Sequence, residues 1–228
     1  MKNKKRWIVI VICAAIFLQG LQAVGNVRAL SGDEEEVLEE VEALVPVSQQ
    51  MVDSAVEVLS KGLSEMSSED REQFERIFDP SGSGAIDDDY VEDVINNYRK
   101  IEYRLESSFI LQYEEESDMC DNMRLFYTDF FKIHICPYFI GEEDSVRKAR
   151  ILVHEVAHIA LLAGDRPYYH PKSYSASYND LAPRGSWTTQ VPVVGIIVRE
   201  ISQSDTLYHP DAYAWFASLM YSKSQYGG

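Results

Sequence analysis

Residues 150–162 read Arg-Ile-Leu-Val-His-Glu-Val-Ala-His-Ile-Ala-Leu-Leu. Within them, His154-Glu155-Val156-Ala157-His158 sets two histidines four residues apart. On a helix that spacing shares one face, so both imidazoles reach a single ion. Glu155 projects beside them, where it takes a proton from a water activated by the metal. Ile151 to Val153 before the motif and Ile159 to Leu162 after it are uncharged and apolar, as expected for a helix buried under a site. The same pair of histidines on a purely structural helix is the blander reading.

Two histidines leave zinc one protein ligand short of the usual catalytic three. One common solution, a further histidine shortly after the second, is closed because that position is Gly164. A glutamate on a following helix is another, but the next one is Glu200, with no glutamate pattern around it. Asp165 and His170 remain as nearby candidates. The helix is expected to run from about Glu143 to Ala163 and stop at Gly164. A glycine there permits a positive φ, which would swing Asp165 back beneath the metal.

Outward from this helix, the 228 residues carry 21 basic and 37 acidic side chains, for a formal charge of −16. That balance argues against nucleic acid and anionic lipid as partners, since both need a basic face. A hydrophobic content of 46% is enough for a core. Lys2, Lys4, Lys5 and Arg6 precede the apolar run Trp7 to Leu18, the pattern of a secretory signal. The run is too short for the roughly 20 residues of a membrane span. Residues 1–23 are therefore expected to be removed after Ala23, or at Ala29, leaving no stable membrane anchor and a secreted, extracellular or periplasmic protein. Losing residues 1–23 removes four bases and no acid. Cys13 leaves with the signal, and Cys120 and Cys136 remain as an even pair in an exported chain, for which a disulfide is expected.

The rest reads as one mainly α domain with a small strand region. Val37, Leu38, Val41, Leu44 and Val45 fall at helical spacing, Pro46 interrupts, and Met51, Val52, Ala55, Val56 and Leu59 repeat the pattern up to Gly62. Ser67 with Asp70 caps a helix carrying Phe74, Ile77 and Phe78. Val91, Val94, Ile95, Tyr98, Ile101 and Leu105 form the clearest amphipathic helix upstream. Residues 109–139, with Ile133 and Ile135 around His134, suggest short strands in a hairpin or small sheet. Residues 165–208 read mostly as loop, and a last helix starts near Pro210. Asp79 to Asp87 imitates a calcium loop, but Tyr90 stands where the bidentate glutamate belongs, so a polar turn is the better reading.

The helix at 150–162 and the residues after it resemble the deuterolysin-type aspzincin metallopeptidases, which include lysine-specific endopeptidases of fungi. In that family the helix is followed by Gly-Thr-x-Asp-x-x-Tyr-Gly, whose aspartate is the third zinc ligand. Asp165 and Tyr168 keep the Asp-x-x-Tyr spacing, whereas Leu162 and Ala163 stand for Gly-Thr and Tyr169 for the final glycine. Phe74 to Leu105 is similar to the upstream helix-loop-helix. Cys120 to Cys136, ending in Cys-Pro-Tyr-Phe, is similar to the cysteine-bracketed segment. Asp211 to Ala217 resembles the C-terminal Asn-Ala-Asp-x-Tyr-x-x-Phe-Ala helix, with His209-Pro210 for Asn-Ala. The likeness covers about residues 70–221 and implies a mainly α, α+β zincin-like metallopeptidase domain over 70–228. Residues 24–69, an acidic helical segment, are not covered and stand as a propeptide or a domain extension.

The resemblance implies one Zn²⁺ per chain on His154, His158 and Asp165, with Glu155 as general base and Tyr168 as oxyanion donor. Asp211 is expected either to hold a ligand histidine by its other ring nitrogen or to serve the helix dipole. His170 and His209 read as polar surface residues, His134 as a strand residue, and Trp187, Trp215 and Phe216 as core aromatics. The expectation is a secreted, monomeric zinc metalloendopeptidase acting on protein or peptide substrates. Alternatives are a non-catalytic binding protein on a degenerate zincin scaffold and a zinc hydrolase of a non-peptide amide.

Overall fold

The computed structural model describes residues 8–9, 32–79, 84, 86–107, 109–114, 117–120, 125–129, 131–163 and 206–226. The described chain is mainly helical with one small sheet. In order it runs β1 (Ile8–Val9), α1 (Gly32–Leu59), α2 (Ser68–Phe78), α3 (Asp88–Glu106), β2 (Ile110–Tyr113), β3 (Phe126–Asp129), β4 (Lys132–Ile135), α4 (Ser145–Leu161) and α5 (Pro210–Tyr226).

α1 is a single helix through Pro46, where the sequence pattern predicts a break. A proline costs its own helical hydrogen bond. The apolar positions on both sides of it nevertheless face one core, with Val41, Met51, Val52, Ala55 and Leu59 fully buried. Shared burial outweighs the local penalty, and Pro46 itself lies on the exposed side. α2 starts as expected: the Ser67 hydroxyl accepts from the Asp70 N–H at 3.1 Å. α3 is capped by Asp87, whose carboxylate accepts the Tyr90 N–H at 2.9 Å. Asp79 accepts the Gly84 N–H at 2.8 Å. Tyr90 turns inward, its hydroxyl 2.7 Å from Thr206 Oγ1. The calcium-like stretch thus places a helix cap and a core tyrosine at two of its loop positions.

The strands form a sheet in the order β1-β2-β4-β3. β3 and β4 make the expected hairpin, with Thr128 opposite Ile133 and Tyr127 opposite His134. β2 runs parallel to β4, and the two residues of β1 pair antiparallel with Ile110 and Leu111. Ile133 and Ile135 enter the core at 0% exposure. The Cys120–Cys136 disulfide is formed, with a Cα–Cα distance of 5.3 Å. Closing a loop of about 15 residues is worth roughly 3 kcal/mol in the chain-entropy model.

α4 lies at the centre, against α1, α3, α5 and β3. The Asp144 carboxylate caps it by accepting the Arg147 N–H at 3.0 Å. Leu152, Val153 and Val156 are fully buried, each worth roughly 1.5–3 kcal/mol of burial. α5 is joined to α2 and α3 by aromatic packing. Phe74 meets Phe216 at 5.5 Å, Phe78 meets Tyr213 at 5.4 Å and Tyr98 meets Tyr213 at 5.0 Å, all near edge-to-face. The Tyr98 hydroxyl also donates to the Tyr213 carbonyl at 2.9 Å. These contacts fix where the first turn of α5 meets α4. Among the described residues no helix is long and apolar enough to cross a membrane.

Candidate metal centre

α4 brings His154 and His158 together, their rings 4.7 Å apart and nearly perpendicular. Their Nε2 atoms face each other at 3.0 Å. The opposite nitrogens are both engaged. Nδ1 of His154 lies 2.8 Å from Asp211 Oδ1, and Nδ1 of His158 lies 2.8 Å from the Ala163 carbonyl. A carboxylate and a carbonyl accept only, so each Nδ1 carries a proton, and in the neutral ring Nε2 then keeps the lone pair. Two such lone pairs repel at this distance unless a cation or proton lies between them. Zinc–nitrogen bonds of about 2.0–2.1 Å at tetrahedral angles set two nitrogens roughly 3.3 Å apart. The observed separation is within a few tenths of an ångström of that span.

The Ala163 carbonyl reaches His158 because the helix ends earlier than expected. Leu162 takes the left-handed conformation, at φ 50°. A leucine there costs roughly 1–2 kcal/mol. The bend lets the Ala163 N–H bond back to the His158 carbonyl at 3.2 Å and turns its own oxygen to the imidazole.

Asp211, at the start of α5, is placed by the aromatic seam between α5 and α3. Burial pushes its carboxyl up, but His154, His209 and Arg150 hold it well below the usual carboxylate range. Arg150 lies one turn before His154, its guanidinium 3.5 Å from the Trp215 ring centre. Trp215 packs partly buried against the core and also carries this cation on its ring, whereas Phe216 is fully buried. His209 also departs from expectation. It is 3% exposed, with Nδ1 4.0 Å from Asp211 Oδ2, and the turn 206–209 buries it where a proline-flanked loop reads as surface. His134 sits on β4 as expected, on the face opposite Ile133 and Ile135. It is stacked on Tyr127 at 4.3 Å and bonded to Glu114 at 2.8 Å, so it takes no part in the histidine pair.

Glu155 is 6% exposed. The Thr128 hydroxyl donates to its Oε2 at 2.6 Å and lies 3.3 Å from its main-chain oxygen. Sequence reasoning missed Thr128. The only signal for it is the alternation of β3, which puts Phe126 and Thr128 on the face toward α4. Asp165, Tyr168, His170, Trp187 and Gly164 lie outside the described residues, as does nearly all of the expected signal. Among the described residues no three histidine, cysteine, aspartate or glutamate side chains are grouped to hold a metal. The structure therefore pairs His154 with His158, sets Asp211 on the other nitrogen of His154 and holds the Glu155 carboxylate through Thr128; none of the described acids joins the two imidazoles as a third ligand. In comparisons with known proteins, no family model, curated protein or solved structure matches the chain.

Proposed function

We propose that the chain is a secreted zinc metalloendopeptidase with a zincin-like domain. The observation that carries this reading is the convergence of the two Nε2 atoms at 3.0 Å on the helix that also carries the buried Glu155. Each imidazole is held in the tautomer that offers Nε2 to a metal, by Asp211 and by the Ala163 carbonyl. Asp165 supplies the third ligand. Zinc, when bound, polarises the scissile carbonyl and lowers the pKa of water to about 7. Glu155 accepts the proton of the attacking water and delivers it to the leaving amine. Tyr168 donates to the oxygen on which negative charge develops.

The sheet supports a peptide rather than a small amide as substrate. Among the described residues β3 pairs on one side only, with β4. Its other edge, unpaired among the described residues, offers backbone groups to an extended chain, and its Thr128 lies against Glu155. The disulfide and the basic-then-apolar N-terminus support export. A casein digest with and without chelator tests the reading. Cleavage that stops on chelation supports it. No cleavage by the zinc-loaded chain would leave a binding protein, and hydrolysis of small amides alone would leave the non-peptide hydrolase.

A further inference from the structure

Glu155 is not held by its own helix. Its carboxylate is gripped from the sheet, by a hydroxyl 27 residues earlier in the chain. Thr128 has one proton to give and two Glu155 oxygens near it, at 2.6 and 3.3 Å. The shorter contact, to Oε2, is in the range of a hydroxyl donating to a charged carboxylate. That bond occupies one carboxylate oxygen and leaves Oε1 to take a proton. It also restrains rotation of the carboxylate. A threonine suits this task, because its branched Cβ restricts χ1 and aims the hydroxyl before any substrate arrives. The strand is itself secured: Thr128 faces Ile133 across the hairpin, and the Cys136 N–H donates to the Leu125 carbonyl at 2.8 Å, just ahead of β3.

The geometry points to Thr128 as the positioning residue of the general base, coupling the edge strand to Glu155. The inference rests on the peptidase reading for its kinetic consequence and on the contact alone for its structural one. Thr128→Val keeps the shape and removes the donor, and Thr128→Ser keeps the donor. With zinc-loaded full-length chain and a quenched peptide substrate, the valine variant should lose roughly 10- to 100-fold in kcat. KM and zinc content should hold, and the serine variant should recover most of the loss. Melting of the full chain supplies a second readout. Thr128→Val should lower the melting temperature more in the unchanged background than alongside Glu155→Ala, which has no carboxylate to bond. Additive melting shifts overturn the proposal, as does a valine variant within twofold of the parent in kcat. If the parent itself cleaves nothing, the peptidase reading fails and the melting comparison alone decides the contact.

Discussion

At the scale of single residues, the site depends on which atom of each histidine faces inward. His154 presents Nε2 because Asp211 accepts a hydrogen bond from its Nδ1–H. Asp211→Asn puts an amide in place of the carboxylate and removes the charge that favours this tautomer. Partners of this kind typically contribute 10- to 100-fold in metal affinity. The asparagine variant should therefore bind zinc roughly 10- to 100-fold more weakly, in a competition titration against a chromogenic chelator, with its melting curve in the metal-free state little changed. Equal affinity would return Asp211 to a helix-dipole role. The third ligand is a second single-residue question. Zinc content should fall in Asp165→Ala and hold in His170→Ala, and the reverse would mean a different class of metallopeptidase. The histidine pair was legible in the sequence because spacing of four on a helix needs no tertiary information. Thr128 and His209 were not. One is a strand residue whose partner is set by sheet register, and the other is a proline-flanked histidine that the turn 206–209 buries.

At the scale of elements, α2 and α5 are joined by charge as well as by aromatic rings. Lys223 on α5 lies 2.8 Å from Asp70 Oδ1 and 2.8 Å from Glu69 Oε2. Burial pushes the Asp70 carboxyl up, but hydrogen bonds from Lys223 and Ser67 prevail and hold it below its ordinary value of 3.8. A carboxyl with a depressed folded-state pKa adds stability above its unfolded value, and loses it as pH falls through the folded one. Asp70→Asn should therefore melt below the parent at pH 7. The gap should narrow as pH drops below 3.8 and vanish once the parent carboxyl is protonated. A gap independent of pH, followed by thermal melting from pH 7 to pH 2, would assign the loss to packing instead. The start of α2 was readable because an N-cap is local. The unbroken course of α1 through Pro46 was not, since it depends on α4 and α5 covering both halves of one apolar face. The left-handed Leu162 was equally hidden. Local preference points to Gly164, and only the hydrogen bonds to His158 show why the turn comes earlier.

At the scale of the whole molecule, α1 is built into the core that supports the histidine-bearing helix. It packs on α3, α4 and α5, and its Ser48 hydroxyl donates to the Ala149 carbonyl at 3.0 Å. Lys148 of α4, with a side chain 4% exposed, pairs with Glu40 of α1 and lies over Phe139 at 4.2 Å. A cut after Leu59 would uncover the back of α4. Mass spectrometry of the active protein should find α1 retained, with an N-terminus ahead of Gly32. An active form beginning beyond Leu59 would make that helix a removable segment. The choice between propeptide and domain extension could not be read from composition, because an acidic amphipathic helix looks alike in both. The central claim, that Glu155 works as the base beside a zinc held by other residues, is tested most directly by Glu155→Gln. Parent and variant should each carry about one zinc per chain, because Glu155 is not a ligand, and only the parent should cleave casein. Robust cleavage by the glutamine variant, or loss of its zinc, would contradict the account.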